Sequence, residues 1–179
     1  TFHECIRVLY RSFMGQSNQT WDKPGGAGPV TEADLAVNEM LVRELRAARP
    51  GYVWLSEEST DDQARLDAER VFIIDPIVGT RSFIDGSNTW AHSLAIAERG
   101  KVVAGAIFLP LRDKLYAAEL GGGATLNDRP IAPSKQGRFD GANFLAARPT
   151  FAAEHWKRGA PDVTRRHRPS LAYRMSLVA

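Results

Sequence analysis

Apolar residues recur at helical spacing in two stretches near the start of the chain. The first covers residues 2–14, and the second follows a capping-box sequence at residues 31–34 and runs to about Ala48. Residues 52–55 and 71–74 are short apolar runs, which are typical of buried strands. We therefore predict two amphipathic helices and two buried strands in the first half of the chain.

The pattern changes to that of a β-sheet in the middle of the chain. Residues 93–98, 102–109 and 114–119 form three apolar-rich segments separated by turn residues, which predicts an antiparallel meander. Short edge strands are expected within residues 124–131. Between the two buried strands, residues 61–70 have the composition of a polar helix.

A polar stretch at residues 133–141 predicts a linker, and we place a domain boundary near residue 140. Residues 1–140 would form an N-terminal α+β domain with a metal site, and residues 141–179 the start of a smaller C-terminal α/β domain. The chain begins with Thr1 instead of Met, and a helix predicted from residue 170 is still apolar at the last residue. We expect further sequence at both ends of the whole protein.

Composition bears on the cellular setting more than on the chemistry. Lys and Arg total 23 against 21 Asp and Glu, so the net charge of +2 gives no reason to expect a nucleic acid polymer or an acidic membrane as partner. Cys5 is the one cysteine, which excludes an internal disulfide framework. The sequence has neither an apolar run of about 20 residues nor the features of a signal peptide. We expect a cytoplasmic protein.

Acidic residues stand at the ends of three predicted elements. They are Asp34 at the start of a helix, Glu57 and Glu58 after the first buried strand, and Asp75 after the second. Each acid alone is more typical of a solvated cap or surface charge. Carboxylates that converge from separate segments suit a hard cation such as Mg²⁺.

The most specific stretch is residues 75–83. Here a strand delivers Asp75 into a turn that Pro76 restricts, and Gly79 and Thr80 follow with backbone donors. Such a turn can hold a metal and a phosphate together. Asp-Pro and Gly-Thr are also ordinary turn residues, so a plain turn remains the alternative for this stretch taken alone.

Three motifs resemble those of the inositol monophosphatase-like phosphatases. Residues 75–83 resemble the signature Asp-Pro-(Ile/Leu)-Asp-Gly-Thr-x-x-Phe, residues 55–59 resemble the Glu-Glu motif, and residues 29–34 resemble the helix-start motif. The resemblance continues through residues 93–97 and 121–127. It implies an α/β (α+β) fold, a layered α/β/α/β/α sandwich whose C-terminal part is incomplete here. It also implies Mg²⁺-dependent hydrolysis of a small phosphorylated metabolite, in a protein that often forms a homodimer.

The resemblance also implies roles for individual residues. The metal ligands would be Glu57, Asp75 and the carbonyl oxygen of Ile77. Asp34 would pair with the hydroxyl of Thr80 to orient the attacking water, with Glu58 supporting the metal ligands. The catalytic residues would thus be Asp34, Glu58 and Thr80, and the substrate-binding residues Glu57, Gly79, Thr80 and Arg81.

Val78 departs from the family pattern. It stands where the signature has an aspartate for a second metal, and valine has no donor atom. A further aspartate, in a Trp-Asp-x-Ala-Ala-Gly motif of the family, would follow residue 179. We predict weak or absent turnover for the chain as printed. The alternatives are a catalytically dead pseudoenzyme that binds a phosphorylated ligand or a protein partner, and a metal-independent interaction module.

The substrate is less readable than the chemistry. The segment Arg81-Ser82-Phe83-Ile84 resembles the 3'(2'),5'-bisphosphate nucleotidase branch more than the inositol monophosphatase branch. Arg81 is equally compatible with binding a second phosphate and with pointing into solvent or pairing with Asp85. Histidinol phosphate and fructose bisphosphate stay open as substrates.

Overall fold

The computed structural model describes residues 19–26, 28–61 and 63–178, so the helix predicted over residues 2–14 lies outside the described residues. The helices are α1 (Glu32–Ala48), α2 (Thr80–Ile84) and α3 (Leu171–Ser176). The strands are β1 (Thr20–Asp22), β2 (Pro29–Thr31), β3 (Val53–Ser56), β4 (Arg70–Val78), β5 (Ala91–Glu98), β6 (Lys101–Leu109), β7 (Lys114–Glu119), β8 (Gly123–Leu126), β9 (Arg129–Ile131), β10 (Asn143–Leu145) and β11 (Thr164–Arg166).

Seven strands form the main sheet in sequential order from β3 to β9. The first pair, β3 and β4, is parallel, and each later pair is antiparallel. The predicted meander is therefore confirmed as β5, β6 and β7. β4 is longer than predicted because it continues past the apolar run and through Pro76 to Val78.

Helix α1 packs on one face of this sheet. Thr31 caps the helix, as its capping-box sequence predicts, and the buried side of the helix follows the apolar spacing. The helix and the sheet share one cluster of buried apolar side chains. Fully burying each large apolar side chain contributes about 1.5–3 kcal/mol, so the cluster holds the helix on the sheet. Its buried members are Val37, Met40, Leu41, Trp54, Phe72, Ile74 and Phe108.

The opposite face of the sheet is covered in part by α3. Tyr173 of this helix packs in a buried cluster with Leu109 and Tyr116. Phe108 and Leu109 are consecutive in β6 and belong to different clusters, as expected when side chains alternate across a sheet. The described residues thus form a helix, sheet and helix in layers.

The smaller elements correct one expectation and add one hairpin. The polar helix predicted over residues 61–70 is wrong, because the segment contains a short 3-10 turn at Ala64–Leu66. The Asp61 carboxylate binds the Gln63 amide and the Arg65 guanidinium, and no apolar stripe favours a longer helix. Strands β1 and β2 pair as a hairpin that the apolar spacing did not predict.

The domain boundary near residue 140 stays a prediction. Strands β10 and β11 pair with each other in a separate parallel sheet, which agrees with it. Helix α3 follows them in the chain and returns to the main sheet, where Tyr173 is buried. None of the helices in the described part of the chain has both the length and the hydropathy needed to cross a membrane.

Candidate active site

Asp34 lies at the start of α1 with its side chain completely buried. Its Oδ2 accepts hydrogen bonds from the Thr31 amide at 2.8 Å and from the Thr31 hydroxyl at 2.6 Å. Its Oδ1 lies 3.5 Å from the Thr80 hydroxyl, so the predicted pair of Asp34 and Thr80 meets in the structure. Burial raises the pKa of Asp34, while the hydrogen bonds from Thr31 act in the opposite direction.

The signature segment runs from the end of β4 into α2. Gly79 connects the two elements with a φ of 101°, a conformation that strains any residue with a side chain. Thr80 begins α2, and its hydroxyl also lies 3.2 Å from the Ile77 carbonyl oxygen. Ile77 packs with Phe83 and Trp90 below the turn, so apolar burial fixes the segment to the sheet.

Glu57 and Glu58 follow β3 in a turn that α1 supports. Asn38 of α1 accepts a 2.7 Å hydrogen bond from the Ser56 hydroxyl and donates one of 3.1 Å to the Ser59 hydroxyl. The Ser56 hydroxyl in turn accepts from the Glu58 amide at 3.2 Å. Three neutral side chains therefore hold both ends of the acidic turn.

Lys23 belongs to this site and is absent from the predicted set. Its Nζ lies 2.6 Å from Glu58 Oε1 and 3.0 Å from Glu57 Oε1. Burial disfavours the charged ammonium, but its hydrogen bonds to Glu58 and Glu57 outweigh that effect and raise the pKa of Lys23. Burial also raises the pKa of Glu58, whose side chain is 4% exposed, against the opposing effect of Lys23.

Asp75 has no such partner. Its Oδ1 is buried and has no hydrogen-bond partner. Burial, followed by the negative charges of Glu57 and Asp34, raises the pKa of Asp75 to about 7. The charges of Glu57 and Asp34 thus act on Asp75, and the shared metal site of these acids stays a prediction.

His92 on β5 is a second residue missing from the predicted set. It is completely buried, and its Nδ1 forms a short hydrogen bond with the carbonyl oxygen of Pro76, inside the signature segment. Burial lowers the pKa of His92 to about 4, so the ring is neutral at physiological pH. Four histidines without ligand spacing gave no signal for this contact.

The arrangement can be tested for its fit to a divalent cation. Glu57, Asp75 and the Ile77 carbonyl supply oxygen donors, and the bare Asp75 Oδ1 is the kind of atom that a cation satisfies. Within the described residues no three His, Cys, Asp or Glu side chains are grouped closely enough to hold a metal. Mg²⁺ is commonly held by one or two carboxylates, water and substrate phosphate, so this donor set fits that ion.

The remaining predicted residues lie beside this cluster. Arg81 is exposed on α2 and forms no ion pair with Asp85 or with another described residue. Val78 ends β4 opposite Ala91 and is half-buried. A Cβ placed on Gly79 would lie 3.5 Å from Ser170, which puts the start of α3 against the signature turn.

A family model described as the inositol monophosphatase family matches residues 2–177, nearly the whole chain. The chain belongs to the inositol monophosphatase family. Membership agrees with the three motifs that first suggested it, and two of them, residues 31–34 and 75–80, meet in the structure at Asp34 and Thr80.

Two relatives of known name resemble the chain over part of its length. It is 38% identical over 125 residues to an inositol-1-monophosphatase of Mesorhizobium japonicum, covering 70% of this chain and 47% of that protein. It is 41% identical over 98 residues to a 3'-phosphoadenosine 5'-phosphate phosphatase of Mycobacterium bovis, covering 51% of this chain and 36% of that protein. The chain thus spans half or less of the length of these relatives.

Two solved structures show the fold. The Thermotoga maritima IMPase superposes with a TM-score of 0.83 at 26% identity, covering 99% of this chain and 69% of that one. The extragenic suppressor protein suhB from Bartonella henselae superposes with a TM-score of 0.82 at 30% identity. The match covers 98% of this chain and 70% of that one. The predicted α/β (α+β) fold class is therefore confirmed.

Proposed function

We propose that the chain forms the metal- and phosphate-binding part of a Mg²⁺-dependent phosphate-monoester hydrolase acting on a small phosphorylated metabolite. The observation that carries the proposal is the bare, buried Oδ1 of Asp75 beside the turn at Gly79 and Thr80. A buried polar atom without a hydrogen-bond partner costs on the order of 1–3 kcal/mol, and a bound cation would offset that cost at Asp75 Oδ1.

Glu57, Asp75 and the carbonyl oxygen of Ile77 would hold the ion. When bound, Mg²⁺ neutralises phosphate charge and lowers the pKa of a coordinated water. The backbone of Gly79 and Thr80 would contact the phosphate, and Glu58 would keep Glu57 in place through their shared contact with Lys23.

Asp34 and Thr80 provide a route for a proton. The Thr80 hydroxyl can donate to Asp34 Oδ1 and, through its lone pairs, accept from a water molecule above the turn. Because Thr31 already occupies Asp34 Oδ2, Oδ1 is the oxygen directed at the site. Burial raises the pKa of Asp34, which favours its accepting a proton as the water attacks.

The names of two relatives suggest two classes of substrate. One relative is an inositol-1-monophosphatase and the other a 3'-phosphoadenosine 5'-phosphate phosphatase. The exposed Arg81, which has no ion pair among the described residues, is free to contact a second phosphate. We therefore place a 3'(2'),5'-bisphosphate nucleotide first and inositol monophosphate second. The homodimer and the cytoplasmic location belong to the same proposal.

Val78 supports a second candidate function, a pseudoenzyme that binds a phosphorylated ligand without hydrolysing it. Valine gives the turn no second-metal donor, and the described residues contain no cluster of three metal-binding side chains. Weakened metal binding would leave the phosphate turn intact while slowing hydrolysis.

Phosphate release tests the two functions. The natural protein containing these residues would be assayed with adenosine 3',5'-bisphosphate and inositol 1-phosphate across a Mg²⁺ titration, beside Asp75→Asn as the control. Slow, Mg²⁺-dependent release that Asp75→Asn abolishes supports the hydrolase, and the faster ester names the branch. Ligand binding without release, in the presence of saturating Mg²⁺, favours the pseudoenzyme.

A further inference from the structure

The strand that carries Asp75 contains a bulge immediately after it. Asp75 pairs with Ser93 of β5 and Val78 pairs with Ala91, so Pro76 and Ile77 together face one β5 residue, His92. Side chains lie near the carbonyl oxygens of both residues: His92 Nδ1 contacts the Pro76 oxygen, and the Thr80 hydroxyl, which is also 3.5 Å from Asp34 Oδ1, lies 3.2 Å from the Ile77 oxygen.

His92 occupies an apolar position that makes its retention costly. Its ring is 1% exposed and lies between Trp90, edge-on at 5.2 Å, and Phe108, stacked at 6.3 Å between ring centroids. Its Nε2 is buried without a hydrogen-bond partner. An unsatisfied buried nitrogen typically costs about 1–3 kcal/mol, so an aliphatic side chain would suit this position better on packing grounds alone.

The hydrogen bond acts on the peptide plane between Pro76 and Ile77. Because the Pro76 carbonyl is part of that rigid plane, holding its oxygen fixes the plane and restricts the direction of the Ile77 carbonyl that follows. Pro76 also follows Asp75 directly, so the same contact restricts the backbone that carries the bare carboxylate. His92 therefore lies behind two of the three proposed cation donors.

We propose that His92 is a positioning residue, whose Nδ1–H donates to the Pro76 carbonyl and thereby directs the Ile77 carbonyl and the Asp75 carboxylate toward one cation. The inference rests on the proposed function, since it concerns the same cation. It assigns His92 no contact with substrate or metal.

Two substitutions separate the hydrogen bond from packing. In His92→Asn the amide nitrogen takes the place of Nδ1 and keeps the donor, whereas His92→Leu fills the space without one. Removing a group that orients a metal ligand typically costs 10–100-fold in affinity. We expect Mn²⁺ to bind about 10-fold more weakly to the Leu variant in isothermal titration, and the Asn variant to stay within about 3-fold of the natural protein. Phe108→Leu is the matched control, because it loosens the same ring stack without touching the donor.

A spectroscopic measurement tests the hydrogen bond without any metal. Long-range ¹H–¹⁵N spectra of the metal-free protein should show His92 protonated at Nδ1 and bare at Nε2. The opposite tautomer overturns the inference, as does equal Mn²⁺ affinity in the natural protein and His92→Leu. If Phe108→Leu weakens Mn²⁺ as much as His92→Leu does, packing explains the effect and the inference also fails.

The same titration separates this inference from the proposed function. If the natural protein binds no Mn²⁺, or binds it equally well with Asp75→Asn, the proposed function fails and takes the role of His92 with it. If Asp75→Asn abolishes binding and His92→Leu leaves it unchanged, only the role of His92 fails.

Discussion

The two acidic segments of the site differ in backbone and in charge. Glu57 and Glu58 lie in the turn after β3, whereas Asp75 lies within the neighbouring strand β4, just before its bulge. Lys23 lies within 3.0 Å of both glutamates but balances only one of the two glutamate charges, and Asp75 Oδ1 has no hydrogen-bond partner. The acids of the site therefore outnumber this cation, and the excess negative charge favours a cationic ligand.

Asp75→Asn should give the largest effect on stability. The folded pKa of about 7 lies above the ordinary value of 3.8, so the stability that Asp75 contributes when protonated is present below about pH 4 and lost as the pH rises to about 7. In EDTA, the Asn variant should match the natural protein near pH 4 and be more stable by on the order of 3 kcal/mol at pH 7.5. Urea unfolding at both pH values measures this.

Divalent metal should make the natural protein more stable than Asp75→Asn at pH 7.5, the reverse of the order expected in EDTA. The natural protein gains stability from the bound ion, whereas the Asn variant has lost the ligand. Asp85→Asn, at an exposed acid on the loop after α2, is the control and should change neither curve. Equal stabilities of the natural protein and Asp75→Asn at pH 7.5 in EDTA would show that the bare oxygen is satisfied after all.

Val78→Asp should add a carboxylate donor at the end of β4, the strand that carries Asp75. Turnover should rise on the order of 100-fold, because a missing electrostatic contribution to phosphoryl transfer typically costs that much. Val78→Asn serves as the control of similar size without charge. Phosphate release under saturating Mg²⁺ measures the effect, and equal rates for Asp and Asn would rule out a second-metal role for this position.

Lys23→Met should remove the positive charge that contacts Glu57 and Glu58. Removing the ammonium leaves Glu58, with 4% of its side chain exposed, beside Glu57 without a counter-charge. We expect a loss of about 2 kcal/mol in unfolding free energy at pH 7, between the values for exposed and buried pairs. Lys23→Arg keeps the charge and should recover at least half of it. If Lys23→Met is as stable as the natural protein, the pairing contributes nothing to folding.

Asn38→Ala should give the smallest effect. It removes the acceptor of the Ser56 hydroxyl and the donor to Ser59, a loss of about 1 kcal/mol. The Mn²⁺ affinity should fall less than in Asp75→Asn, because the turn at Glu57 moves without losing its carboxylate. Chemical denaturation with paired Mn²⁺ titrations checks both.

Local patterns predicted most of the regular fold. Helix α1 and the strands β5 to β7 follow apolar periodicity that depends only on neighbouring residues. The end of β4 did not follow from it, because Pro76 and a bulge interrupt the pattern, and the added strand length depends on pairing with β5.

In the candidate site too, local motifs revealed some residues, and those that depend on distant contacts were missed. The acids of the site could be found because each lies at one end of a predicted element and within a family motif. Lys23 could not be found, because it is 34 and 35 residues from Glu57 and Glu58 in the sequence. It contacts them from a hairpin that the glycine-rich sequence around it did not predict. His92 was missed because its role depends on a bulge in the neighbouring strand, a property of register that one strand's sequence does not contain.

The approach of Ser170 to Gly79 has a consequence for how the protein is made. The two residues are separated by about ninety positions, yet a Cβ on Gly79 would touch Ser170. During synthesis from the N-terminus, the acidic segments and the meander leave the ribosome well before α3. We therefore expect a stage in which the sheet can form while the turn at Gly79 still lacks its contact with α3, and this long-range contact forms late.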